Sequence, residues 1–360
     1  MDSEVRELKP EKVGQEEQNN RKTHSMKIIV PMAGRGTRMR PHTLTTPKPL
    51  LPIAGKPIVQ RLVEDIVSVC GQKVDEVAYI IGDFGQQVEH NLLEIAKSQG
   101  AKGSIYHQDV ALGTAHAILC AKESLEGPVV VAFADTLFRA DFTLDTASDG
   151  VIWTKKVEDP RQFGVVQKNS EGVITGFVEK PQEFVSDEAI IGIYYFDDGA
   201  NLRSELQYLI DNDIKDKGEY QITDALENMK AKGKRFTSGT VNEWMDCGNK
   251  NITVDTNSKI LEFVKDEEEL QAGDLVLENS TIHPPCFIGS GVVLRNSEVG
   301  PGVSIGSGSS LENVQVEHSI IGAESELGHL RLKQSMIGDK VRFDGRFTNV
   351  SIGDFSTLEK

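Results

Sequence analysis

Met26-Lys27-Ile28-Ile29-Val30-Pro31-Met32-Ala33-Gly34-Arg35-Gly36-Thr37-Arg38-Met39-Arg40-Pro41 is the stretch on which the fold turns. Lys27-Ile28-Ile29-Val30 reads as a short buried strand, and a Gly-rich loop follows it directly. Small residues at that point let successive backbone N–H groups close on an anion. Two well-known ways of doing so fail here. The dinucleotide fingerprint needs a third glycine three residues after the second, where Met39 stands, and no Gly-Lys-Ser/Thr of a Walker loop is present. Arg38 and Arg40 cluster beside the loop, and Lys48 follows in Thr46-Pro47-Lys48-Pro49. The flanking prolines are expected to hold that lysine on a stiff, extended segment that aims its charge.

Outward from this loop, strand and helix alternate. Pro57 suits the first residue of a helix that carries Ile58, Leu62, Ile66 and Val69 on one face. Residues 77–81, 105–106 and 129–133 read as strands, and 86–97 and 115–122 as helices. The rhythm predicts a parallel α/β sheet with helices on both faces. After Asp149 short strand-like segments (151–157, 163–167, 173–179, 190–196) crowd together, as expected of a half-domain laid over the sheet's open edge. Helices return at 202–212, 223–232 and 250–263, and the acidic run Asp266-Glu267-Glu268-Glu269 marks an expected linker. Residues 1–25 are nearly all polar and read as a disordered extension.

Beyond about Gly273 the composition shifts to Gly, Ser, Val and Ile, and a repeat emerges. Ile288-Gly289, Ile305-Gly306, Ile321-Gly322, Ile337-Gly338 and Ile352-Gly353 are spaced by 17, 16, 16 and 15 residues. Six-residue steps run inside it, as in Ile282, Ile288, Leu294 and Val299, Ile305, Leu311. A flexible linker has no reason to keep isoleucine in register; a parallel β-helix with inward aliphatics at each turn does. The expected domains are 26–265 and 271–360 after the N-terminal extension 1–25.

With 39 Lys and Arg against 55 Asp and Glu, the 360-residue chain carries a net charge of −16. That disfavours nucleic acid and anionic membranes as partners. Four cysteines, Cys70, Cys120, Cys247 and Cys286, are scattered without a Cys-x-x-Cys. Such spacing points to free thiols in a reducing cytoplasm. No apolar run approaches the roughly 18 residues of a membrane span.

Gly34-x-Gly36-Thr37-Arg38, Pro41, Thr43, Pro47-Lys48-Pro49-Leu50-Leu51-Pro52 and Gly55-Lys56-Pro57 together resemble the signature of sugar-1-phosphate nucleotidyltransferases, and the likeness continues along 26–260. Ala33 stands where many members have glycine, as does Ala134, and Asn249 replaces a frequent threonine. The resemblance implies a Rossmann-like nucleotidyltransferase domain with a mostly parallel mixed sheet, followed by a left-handed parallel β-helix. It further implies that Ala33, Gly34, Gly36 and Thr37 cradle the phosphates, with Arg38 holding the leaving pyrophosphate and Lys48 acting on the α-phosphoryl charge. Gln108, with Gly113 and Thr114 in Leu112-Gly113-Thr114-Ala115-His116, looks like the base-reading stretch of pyrimidine-specific members; Gly113 is expected to approach the base closely, and His116 receives no role. Asp135 and Asp246 match the family's Mg²⁺-binding aspartates. Gly164, Glu179, Lys180 and Tyr194 match its sugar-phosphate side, while Thr223 and Asp224 read mainly as helix-start residues.

The implied reaction transfers a nucleotidyl group from dTTP or UTP to a sugar 1-phosphate, glucose 1-phosphate foremost. Mannose-1-phosphate guanylyl transfer, a non-catalytic regulatory subunit and a β-helix acyltransferase stand as alternatives. The β-helix is expected to serve homo-oligomer assembly, with residues 26–260 keeping nucleotidyl transfer on their own.

Overall fold

The computed structural model describes residues 26–359 except 35, 142, 143 and 147; the N-terminal extension lies outside the described residues. Strand β1 (Met26–Pro31) is central. It pairs in parallel with β4 (Val74–Ile81) on one side and β6 (Val129–Ala132) on the other, and β5 (Lys102–His107) extends the sheet beyond β4. Between them come the short hairpin β2 (Pro52–Ile53) and β3 (Lys56–Pro57), then helices α1 (Ile58–Cys70), α2 (Gln86–Ser98) and α3 (Thr114–Leu119). Pro57 is the residue that caps α1 rather than its first helical residue.

Side chains alternate across these strands because successive Cβ atoms point to opposite faces. Ile28 and Val30 join the core under α1 and α2, while Ile29 joins the core under α3. Val77, Tyr79 and Ile81 against Ala78 and Ile80 repeat the split on β4. Helices therefore cover both faces, as the strand–helix rhythm predicts.

The later strands differ from expectation. Instead of a half-domain lying over the edge, they continue the same sheet. After β7 (Thr136–Arg139) come β8 (Gly150–Lys156), β9 (Gly164–Lys168), β10 (Ile174–Glu179) and β11 (Glu188–Phe196). β11 pairs antiparallel with β6 through Ile193 to Phe196 and carries β8 and β9 beside it. The open flank of β6 has unpaired backbone groups that a strand satisfies better than a covering layer. Helices α4 (Gly199–Asp211) and α5 (Ile222–Ala231) pack on the α3 face, and β12 (Phe236–Thr240) pairs with β8. β13 (Glu243–Asp246) forms a two-stranded ribbon with β7, and α6 (Lys250–Val264) returns to the α1 face.

The acidic run is no loose linker. Glu268 pairs with Lys56 at 3.0 Å and with the buried guanidinium of Arg61 at 3.2 Å. Beyond it, three stacks of short parallel strands form a three-faced parallel β-helix. One face runs through Val276, Val293, Ser310, Glu326 and Arg342; another through Thr281, Glu298, Gln315 and Arg331; the third through Phe287, Ser304, Ile320 and Met336. Ile288, Ile305, Ile321 and Ile337 stack in register, as the repeat predicts. The fifth pair, Ile352-Gly353, is a correction: no strand forms there and Ile352 is half exposed. Its spacing of 15 falls short of the 16 or 17 residues each coil uses. Among the described residues no helix is long and apolar enough to cross a membrane, and the four cysteines are free.

Candidate active site

The carboxyl ends of β1, β4 and β6 open onto the Gly-rich loop, the edge at which open α/β sheets bind ligands. Gly36 adopts φ +59°, and a Cβ there would lie 2.9 Å from Lys48 Cβ, so the loop closes directly onto the lysine turn. Thr43 Oγ1 donates to Gly36 O at 2.7 Å and Met39 N to the same carbonyl at 2.9 Å. Met39 is buried in the core, which explains why the third fingerprint glycine is absent: that position anchors the loop. Gly34, Thr37 and Arg38 are exposed beside it, Ala33 is half-buried, and Gly34 faces open space; Arg35 lies outside the described residues.

Lys48 is almost fully buried, with its ammonium 3.0 Å from Asp135 Oδ2. It sits in a tight helical turn (Lys48–Leu50) rather than on an extended segment. Pro47 and Pro49 both tolerate that turn, since neither nitrogen was needed for it, and Leu51 N closes it onto Lys48 O at 3.1 Å. Asp135 lies just past β6, and its carbonyl accepts from Cys247 N at 3.0 Å. On the facing ribbon Asp246 pairs with Thr136, which brings the two aspartates together. Burial pushes the Asp246 carboxyl above the usual range and the Asp135 charge adds to this, while Lys48 and Arg38 pull it back. Gly248 lies beneath this carboxylate: a Cβ there would stand 2.7 Å from Asp246 Oδ2. Asn249, the departure from the frequent threonine, accepts from Ile252 N at 3.2 Å and so caps α6 as a threonine would.

Where the sequence leads one to expect base contacts, Gln108 directly follows β5, its N–H on Ile81 O at 2.8 Å and its Nε2 3.0 Å from His116 Nδ1. Gly113 has φ +118°, and its Cβ direction is filled by the Tyr220 backbone, 2.4 Å away at the oxygen. The glycine therefore serves the junction of α3 with α5. Thr114 does likewise: its hydroxyl donates to Gln221 Oε1 at 3.1 Å and accepts from Ile222 N at 3.0 Å.

On the remaining side, Gly164 of β9 faces Glu179 of β10, where a Cβ would come 3.0 Å from Glu179 Oε2. Lys180 has φ +43° and places Nζ 3.5 Å from Glu179 Oε1. Tyr194 is buried between Phe133 and Phe196, and burial together with Glu179 raises its hydroxyl pKa. Sequence reasoning missed two groups here. Thr223 Oγ1 and Trp244 Nε1 are buried polar atoms with no partner among the described residues, as is Asp224 Oδ2. Thr223 lies near Gly164, and Trp244 meets Phe163 edge-on at 4.9 Å. Gln221, not Thr223, occupies the cap position of α5. Buried donors and acceptors left open in this way suit a polyhydroxylated ligand. The alternation of a strand could have flagged Trp244, two residues before Asp246 on the same side of β13.

A family model described as nucleotidyl transferase matches residues 27–262. Relatives include a glucose-1-phosphate thymidylyltransferase of Streptomyces antibioticus, 30% identical over 340 residues that cover 88% of this chain and 93% of that one. A mannose-1-phosphate guanylyltransferase catalytic subunit beta of Drosophila melanogaster is 30% identical over 278 residues, covering 74% and 71%. The solved structure of a UDP-glucose pyrophosphorylase complexed with UDP-glucose is similar at TM-score 0.54 and 25% identity, over 66% of this chain and 99% of that one.

Proposed function

The chain belongs to the nucleotidyl transferase family, and from that premise we propose that it joins the nucleotidyl group of dTTP or UTP to a sugar 1-phosphate, glucose 1-phosphate foremost. One phosphate oxygen of the sugar 1-phosphate attacks the α-phosphorus in line. The bond from that phosphorus to the bridging oxygen breaks, and pyrophosphate leaves with the electron pair. Such a transfer needs positioning and charge neutralisation more than proton chemistry.

The observation that carries this reading is the meeting of Lys48 and Asp135 at 3.0 Å where the Gly36 loop closes on the lysine turn, with Asp246 on the facing ribbon. Exposed Arg38 and the loop amides at Gly34, Gly36 and Thr37 support binding of the β- and γ-phosphates. Lys48 stands for the α-phosphoryl, where its buried ammonium acts with little screening by water. The two aspartates fit a divalent cation: they bring like charge together, one of them buried over a glycine that leaves room for its carboxylate. Mg²⁺ commonly takes one or two carboxylates plus substrate phosphate oxygens, and bound there it would neutralise phosphate charge. Gln108 supports a pyrimidine base. Glu179, Lys180, Gly164 and Tyr194, joined by Thr223 and Trp244, support a sugar-phosphate subsite. The four free thiols support a cytoplasmic setting, and the β-helix faces support assembly into a homo-oligomer.

A panel of NTPs against a panel of sugar phosphates, read by pyrophosphate release, tests the reading. Turnover is expected with dTTP or UTP and glucose 1-phosphate. A preference for GTP with mannose 1-phosphate would overturn the substrate assignment, and no turnover with any pair would overturn the activity.

A further inference from the structure

Resting on the pyrimidine reading above, we infer that His116 is a positioning residue: its hydrogen bond favours one of the two orientations of the Gln108 carboxamide and so helps the site distinguish uracil or thymine from cytosine. A glutamine amide by itself is a poor discriminator. Its terminal torsion is broad and roughly two-fold, so the oxygen and the NH₂ group exchange places at little cost. Turned one way, it meets the imino N–H and keto oxygen of uracil or thymine. Turned the other way, it meets the ring nitrogen and exocyclic NH₂ of cytosine equally well.

The structure biases that choice. The Gln108 backbone is fixed at the end of β5 by Ile81 O, and its Nε2 lies 3.0 Å from His116 Nδ1. An amide nitrogen only donates, so in this arrangement Nδ1 accepts and the imidazole proton sits on Nε2, the tautomer a neutral histidine favours; the reversed amide would need the proton moved to Nδ1. Burial lowers the His116 pKa, and His116 makes no ion pair among the described residues, so nothing favours the imidazolium, which could not accept. The histidine is itself held. It lies in the first turn of α3, whose start is fixed by Ala115 N on Tyr220 O at 2.9 Å and by the Thr114 hydroxyl. With one amide hydrogen committed to His116, Oε1 is the end left for an imino N–H. Cytosine would place its unprotonated ring nitrogen against that oxygen, an acceptor against an acceptor. Orientation of a neutral hydrogen-bonding pair is worth roughly ten-fold in relative affinity.

His116→Phe keeps a ring of similar shape and deletes the acceptor; His116→Asn keeps an acceptor at the δ position. For the full chain, kcat/KM is measured for UTP, dTTP and CTP with glucose 1-phosphate in the wild type, both His116 variants and Gln108→Ala. The expected result is a fall of roughly ten-fold in the UTP-to-CTP ratio for His116→Phe, carried by KM rather than kcat, with most of the ratio kept by His116→Asn. If Gln108→Ala collapses the ratio and His116→Phe leaves it intact, this inference is overturned while the base reading stands. A ratio unmoved by Gln108→Ala overturns both. Should His116→Phe not fold, His116→Leu supplies the same comparison.

Discussion

Asp246, a proposed metal ligand, is held in a costly setting. Its carboxyl pKa is raised above the ordinary 3.8, first by burial and then by the neighbouring Asp135 charge. A carboxyl with a raised folded pKa binds its proton more tightly folded than unfolded. Stability therefore falls as pH rises from about 3.8 through the raised folded value, and stays lower above it. Asp246→Asn removes that charge while keeping the shape. In metal-free protein the variant should melt at a higher temperature than the wild type near neutral pH, and the two curves should converge at low pH. Turnover should fall by about 10² or more for Asp246→Asn and for Asp135→Asn alike, as expected on losing charge stabilisation of the phosphates. Chelator should abolish wild-type turnover; a wild type that runs at full rate in EDTA would refute the metal assignment. These two aspartates were legible in the sequence because each stands in a run of residues with a recognisable signature. Thr223, Trp244 and His116 were not. What makes them matter is an empty hydrogen-bond position or a partner on another element, and neither is visible until the chain folds.

Elements were legible where periodicity is local. β1, α1, β4 and α2 fall close to where their apolar patterns put them, because each buries one stripe or one run against a neighbouring layer. The junction of α3 and α5 was illegible, since it joins residues more than a hundred positions apart. Thr114 is the clearest case: the sequence offers it as a nucleotide contact, while the structure commits its hydroxyl to Gln221 and Ile222. Thr114→Val keeps the shape and leaves the Ile222 amide without that acceptor. The expected loss of folding stability is about 1–3 kcal/mol. Denaturant unfolding at unchanged m-value would report it. A variant as stable as wild type with a raised KM for the NTP would instead return Thr114 to the nucleotide.

The whole molecule is where expectation and structure part most. All the proposed phosphate, base and metal positions lie in residues 26–260, and from the sequence alone the β-helix has no reason to matter for chemistry. In the structure it is bolted to the catalytic domain beside the lysine turn. Fully buried Asn257 of α6 accepts from Ala54 N at 2.9 Å and from Ser304 Oγ at 2.7 Å, and donates to Gly302 O at 3.3 Å. Phe287 packs against Gly55, and Ile320 and Met336 join the catalytic domain's core. Arg61, held by Glu268, donates to Ile53 O and Ala54 O at 2.6 Å each. The β2–β3 hairpin is thus gripped from both sides, and it follows Lys48 by only a few residues. Removing the β-helix would uncover these apolar contacts and leave the polar ones to water.

Asn257→Ala tests the grip in the intact chain. It leaves the Ala54 amide and the Ser304 hydroxyl unpaired in a buried place, each worth about 1–3 kcal/mol when orphaned, while the Gly302 carbonyl keeps the Ser258 hydroxyl at 3.2 Å. A net loss of about 2–4 kcal/mol is expected by denaturant unfolding, small enough beside an ordinary 5–15 kcal/mol to leave the protein folded. Ser304→Ala, which removes one donor while Asn257 Oδ1 keeps the Ala54 amide, should lose about 1 kcal/mol. If the hairpin transmits the grip to Lys48, kcat should fall in Asn257→Ala, with mass by light scattering unchanged. Equal stability of Asn257→Ala and wild type would show that the two domains are not locked here. A destabilised variant with unaltered kcat would confine Asn257 to holding the domains together and leave Lys48 positioned by the Gly36 loop and Asp135 alone.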